Sequence, residues 1–429
     1  MFFFSKWQRV NHKTRAPMRH VKQARAIRGL FLLFLRKEVL SFFLAFLLVS
    51  AAPERRILHV SLYPYIPEPA SAALYLKQAY EDQHPDVLLD VSLNPHYYSL
   101  DPADHGVLYE EADVHTIDIV FLQDFLSRHK LAPLPPGFFA SLPRMEALAQ
   151  QAATISGVEV AVPQWMCADF LFYRADATDL AGVDSLKGLE KGLHHRAGLL
   201  MDMSGPDTIG ELIFSILLSE TGSPEAALAR VSETPDPAIV QRLRRFLALE
   251  PRGFGRVPDY GARYSFYARQ FARRAGTAFV GYSEMTNEVL NETQTSCRLE
   301  ERCVTAAEIR VAAIPFHDGP PHPAIWVDMF GIDAGAKGQK YQDAVDFIRF
   351  AVSLPTYRAL LVPPQGEPPR YLLPSTVEAF DDPEILKAAP LYPKFRAIME
   401  QGVVSSIPNL QSKLHAVATR VDDQLRTVQ

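Results

Sequence analysis

Beyond residue 52, short apolar runs alternate with stretches of helical spacing. Ile57-Leu58-His59-Val60-Ser61-Leu62 is predicted as a strand, broken by Tyr63-Pro64-Tyr65-Ile66-Pro67. Ala70, Ala73, Leu74, Leu76, Ala79 and Tyr80 recur along one helical face across 69–82. Buried-strand runs follow at Val87-Leu88-Leu89-Asp90-Val91 and at Ile117-Asp118-Ile119-Val120-Phe121-Leu122. Strands that alternate with helices indicate α/β units and a parallel sheet, whose ligands meet the loops at the carboxyl ends of strands. Tyr63 and Tyr65 fall at one such end.

The middle of the chain reads differently. Helical spacing dominates 208–249, in three segments separated by Gly222 and Pro235, and returns at 262–275. A strand is predicted at Thr277-Ala278-Phe279-Val280-Gly281-Tyr282, with shorter ones at 308–315 and 325–332. A helix at 340–353, a proline-rich crossing at 362–369 and a largely helical tail from 375 complete the pattern. The chain contains no internal repeat.

Of the 429 residues, 48% are apolar and 22% charged, a globular composition that excludes a collagenous or disordered protein. Charge is unevenly spread. Residues 1–38 hold ten Lys/Arg and one acid, whereas 52–429 hold 34 Lys/Arg against 48 Asp/Glu. An acidic body lacks the basic surplus that displaces phosphate counterions, so nucleic acid is not an expected partner. It does suit a cationic small ligand. The basic stretch, the apolar core Val39–Leu48 and the small residues Val49-Ser50-Ala51 read as an export signal, with Met18 as an alternative start and an uncleaved anchor as the alternative reading. A secreted or periplasmic protein, monomeric and without stable membrane association after signal cleavage, is expected.

Dinucleotide, P-loop and zinc-protease motifs are missing, and the adjacent His194-His195 read as a solvated loop, so neither a metal nor a cofactor is expected. Cys297 and Cys303 are spaced for a local disulfide, with two free thiols as the alternative. Cys167 is then left over, in Pro163-Gln164-Trp165-Met166-Cys167-Ala168-Asp169-Phe170. It is either a buried small hydrophobe or a thiol kept for its reactivity, which needs a base beside it. Glu284, after the strand ending at Tyr282, and Asp328, inside the apolar run 325–330, are the candidate acids; a helix cap or a structural hydrogen bond is the alternative for each.

These residues resemble the thiamine pyridinylase (thiaminase I) family over most of 57–380. The likeness is carried by Leu62-Tyr63-Pro64-Tyr65-Ile66-Pro67, the stretch around Cys167, Gly198-Leu199-Leu200, Gly276–Glu284, Trp326-Val327-Asp328 and Arg370-Tyr371-Leu372-Leu373-Pro374. The resemblance implies a two-lobed α/β fold of the type II periplasmic-binding-protein-like class with a ligand cleft between the lobes. Residues 52–162 plus 323–370 would form one lobe, and 163–322 plus 371–429 the other.

It further implies an enzyme that replaces the thiazole of thiamine with a small external nucleophile, an amine, pyridine or thiol. Cys167 would be the nucleophile that adds to the pyrimidine, and Glu284 its base. Tyr63, Tyr65, Asp124, Tyr264, Tyr282 and Asp328 would bind substrate. Asp124 stands one residue short of the family's spacing, and Tyr264 is shifted against a family tyrosine. The segment 291–303 looks like a local elaboration. A protein of the same fold that binds thiamine or a pyrimidine without cleaving it is the alternative, and a binder lacks a need for Cys167 and Glu284.

Overall fold

β1 (Arg56–Leu62), α1 (Pro69–Gln83) and β2 (Val87–Leu93) form the first α/β unit. The two strands pair in parallel, as a connection through a helix allows. This computed structural model describes residues 55–193, 198–231, 234–251, 263, 265–297, 302–364 and 366–426. The signal-like segment 1–51, His194-His195 and Tyr264 lie outside the described residues.

β3 (Val114–Asp118) adds parallel to β1, and the chain then turns directly into α2 (Ile119–Ser127). The run 117–122, predicted as one strand, is therefore the end of a strand and the first turn of a helix. Ile119, Val120, Phe121, Leu122 and Phe125 are all buried, and a first turn that is apolar on every side shows no period to distinguish it from a strand. Asp118 makes the break by accepting a hydrogen bond from the Val120 amide at 3.1 Å, a helix cap.

The chain leaves the first sheet through β4 (Val162–Cys167) and enters the second at β5 (Phe170–Arg174). Next come β6 (Leu199–Leu200), α3 (Pro206–Thr221), β7 (Ala278–Gly281), α4 (Met285–Thr295) and β8 (Ile309–Ala312). It returns through β9 (Ala324–Ile332) and ends with β10 (Leu373–Pro374), β11 (Val403–Val404) and α5 (Leu410–Arg426), which packs along α3. The first sheet runs β10-β4-β9-β3-β1-β2 with β11 beside β9, and the second runs β8-β5-β7-β6.

The first sheet is mixed rather than parallel, because β9 runs antiparallel to both β3 and β4. The reason is topological. β4 carries the chain out of the sheet and β9 brings it back, so both passages must lie at the end facing the second sheet, where Cys167 stands opposite Trp326. The passage expected near residue 163 falls inside β4, and the change of sheet comes at Ala168-Asp169. Leu373 and Pro374, expected in the second lobe, pair with β4 in the first sheet.

Candidate active site

A cavity of about 520 Å³ opens between the two sheets. Tyr63 and Tyr65 reach it from the loop after β1, Asp118 from the end of β3, Cys167 from the end of β4, and Trp326 and Asp328 from β9. The other wall is made by Tyr282 and Glu284, which join β7 to α4, and by Glu211 of α3. These positions follow from pairing: β9 sets Asp328 opposite Asp118 on one side and opposite Trp165 on the other. A register shift against β4 at Asp328/Met329 adds a local bend beside the site, as bulges next to active sites do.

A line of hydroxyls leads to one of the carboxylates. Tyr63 donates to the Tyr98 hydroxyl at 2.8 Å, and Tyr98 donates to Asp118 at 2.6 Å. The Tyr65 ring stacks on Tyr98 with centroids 5.8 Å apart. Behind them, buried Tyr97 accepts from the Asp118 amide at 2.7 Å and donates to the Thr116 carbonyl at 3.0 Å. On the opposite wall the Tyr282 hydroxyl donates to Glu211. Trp326, almost wholly buried, has an indole N–H without a partner among the described residues, a donor left over for a ligand.

Among the described residues, four carboxylates and no Lys or Arg line this cavity. Burial pushes Asp118 up to about 6, against the opposing hydrogen bonds from Tyr98 and Val120. Asp328 is pushed well above the carboxylate range by burial first and then by Asp118 and Glu284. Two buried acids side by side do not both ionise readily, so the pair holds a proton into the neutral range. Glu211 is also raised well above its ordinary value by burial and by Asp169.

The Cys167 thiol is likewise pushed well above its ordinary value, by burial and then by Glu284, Asp169, Asp328 and Glu211. The resting sulfur is therefore a neutral thiol. It becomes a thiolate only if a base takes its proton and a cation offsets the surrounding field.

The structure thus brings Tyr63, Tyr65, Cys167, Tyr282, Glu284 and Asp328 to one cavity. It does not bring Asp124, which sits half-buried on α2 beside Arg128 and Asn409. Asp118 lines the cavity instead, six residues earlier. Sequence reasoning also passed over Tyr98 and Glu211. Asp118 had a legible signal, an Asp directly before an apolar helical turn, whereas nothing local marks the other two. Cys297 and Cys303 are joined by a disulfide with Cα atoms 6.1 Å apart.

A mixed sheet and a smaller second sheet, joined by crossing strands with a cavity between them, define a two-lobed α/β protein of the type II periplasmic-binding-protein-like class. A maltose-bound protein of T. maritima has the same fold, at 18% identity and a TM-score of 0.61, over 87% of this chain and 97% of that one. The particular likeness is to thiaminases. The chain is 26% identical to Thiaminase-1 of Paenibacillus thiaminolyticus over 359 residues, 80% of this chain and 81% of that protein. Clostridium botulinum thiaminase I, solved in complex with thiamin, matches at 19% identity and a TM-score of 0.70, over 86% of this chain and 100% of that one. No family model matches the chain.

Proposed function

We propose that the protein degrades thiamine by exchanging its thiazole for an external nucleophile. The observation that carries this reading is the meeting of Cys167, Glu284 and the Asp118–Asp328 pair in one acidic cavity, in a chain similar to Thiaminase-1 over most of its length. Thiamine carries a cationic thiazolium, and a cavity lined by four carboxylates, with no Lys or Arg among its described residues, favours a cation.

In this reading Glu284 takes the Cys167 proton as the substrate's positive charge enters and lowers the cost of the thiolate. Sulfur bonds to C6 of the aminopyrimidine and breaks its aromaticity. The thiazole then leaves the bridging methylene with the electrons of the C–N bond, as a neutral molecule. The external nucleophile bonds to the methylene carbon, the ring regains aromaticity, and sulfur is expelled with its electron pair. One difficult displacement becomes two easier ones. The proton shared by Asp118 and Asp328 lets one carboxyl donate to a ring nitrogen while the other accepts from the amino group, which makes the ring more electrophilic.

The same reading makes this an exported protein, secreted or periplasmic. The basic stretch and apolar core of residues 1–51 support that, as does the Cys297–Cys303 disulfide, since such bonds persist in oxidising compartments. No helix among the described residues is long and apolar enough to cross a membrane.

Incubation of the protein with thiamine and aniline should release the thiazole alcohol, and mass analysis with a pyrimidine analogue bearing a leaving group should place an adduct on Cys167. Absence of release by folded protein, or an undiminished rate in Cys167→Ser, would refute the proposal. Tight binding of thiamine that stays intact for hours would point to a binding protein instead.

A further inference from the structure

A second cavity of about 570 Å³ lies behind Tyr282 and Glu211, which line both it and the first cavity. Its walls are partly apolar, from Leu212, Ala268, Phe279 and Met285, with Tyr267 beside them. Its charged groups are Glu211, Asp169, Asp202 and Arg263. Arg263 is committed to Asp202 by an ion pair of 2.9 Å, and Gly205, at φ 82°, lets the backbone pass where a Cβ would meet that guanidinium at 2.9 Å. Asp169 makes no hydrogen bond to the described residues and faces this space, and burial pushes it up to about 7.

Asp169 is two residues from Cys167. Its Cα is therefore at most about 7 Å from that of the cysteine. The cysteine lines the first cavity and the aspartate the second, and the hydrogen-bonded pair Tyr282–Glu211 lines both. The two cavities thus meet at a shared wall, Tyr282 and Glu211, with Asp169 of the second cavity two residues along the chain from Cys167 of the first.

We propose that the second cavity binds the incoming nucleophile, that this nucleophile is a neutral, mostly apolar nitrogen base such as an aromatic amine or a pyridine, and that Asp169 faces its nitrogen. This rests on the thiazole-exchange reading above. The nitrogen lone pair forms the new bond to the methylene carbon, and electrons return to the ring and expel sulfur. Nitrogen thereby gains a positive charge. The Asp169 carboxylate stabilises that charge as it develops and, for an amine, takes the surplus N–H proton. A pyridine has no such proton and leaves as the pyridinium. A thiol gains no positive charge on bonding, and its thiolate is repelled by the same acids, so it draws no benefit from Asp169.

The test is steady-state kinetics of the full chain with thiamine and, in turn, aniline, pyridine and 2-mercaptoethanol. In Asp169→Asn, kcat/KM for aniline and pyridine should fall about tenfold to a hundredfold relative to that for the thiol, the range expected for a hydrogen bond to a charged group. The KM for thiamine should stay within about twofold, which also reports an intact fold, and Asp169→Glu should restore part of the loss. An equal fall with all three nucleophiles, a rise confined to the KM for thiamine, or an unmoved ratio would overturn the inference while leaving the exchange reading intact. Failure of the unaltered protein to release thiazole with any of the three would overturn that reading and this inference together.

Discussion

Replacing Tyr98 by phenylalanine removes a single oxygen from the line Tyr63–Tyr98–Asp118 and keeps the ring that stacks on Tyr65. In the intact protein Asp118 titrates at about 6, because burial raises it while the hydrogen bonds from Tyr98 and the Val120 amide hold it down. A hydrogen bond to a charged group contributes about 1.5–3 kcal/mol. Losing it from the ionised form alone moves the titration up by about 1–2 pH units at 1.36 kcal/mol per unit. The expected value in Tyr98→Phe is therefore about 7 to 8. The assay is kcat/KM for thiamine between about pH 5 and 9, where the acid limb reports the Asp118–Asp328 pair as a unit. That limb should move towards alkaline pH, so the variant loses most activity near pH 6 and recovers above pH 8. An unmoved acid limb in a folded variant, or a loss equal at every pH, would refute the claim that the Tyr98 hydroxyl acts through Asp118.

Other outcomes follow from the same geometry. Cys167→Ser should lower thiamine turnover by at least about a thousandfold, while calorimetry still detects thiamine binding; near-normal turnover would contradict the role given to the sulfur. Asp118→Asn should reduce kcat/KM by about tenfold or more, whereas Asp124→Asn, at a residue that does not line the cavity, should change it by less than about twofold. Because Asp118 and Asp169 are raised to about 6 and about 7, the folded protein binds more protons than the unfolded chain. The resulting stability is full below the ordinary carboxylate range and is lost as pH rises through those values, so the melting temperature should fall from pH 5 to pH 8. Asp169→Asn should then stabilise the protein at pH 8 by about 2 kcal/mol, allowing for the partial exposure of the group to the cavity. A melting temperature that climbs between pH 5 and 8 would count against these buried acids.

The amino-acid sequence by itself determined the alternation of strands and helices, the strand before Tyr63, the helical middle, and the choice of Cys167, Glu284 and Asp328 as candidate groups. Each of those is a local property, read from spacing within a few residues or from a polar group set inside an apolar run. Tertiary structure decided what local spacing does not encode. The antiparallel insertion of β9 set Asp328 against Asp118, and that register lies in a pairing of segments about two hundred residues apart. The choice of Asp118 over Asp124 turned on where β3 stops and α2 starts, inside a run so apolar that strand and helix look alike. Tyr98 and Glu211, far apart in the chain, gained their places only in the tertiary structure, which sets both against one cavity. The neutral state of the Cys167 thiol was also a tertiary outcome, because it depends on carboxylates drawn from four separate elements. Charge acts through space over several ångströms, and only the fold says which acids share that space.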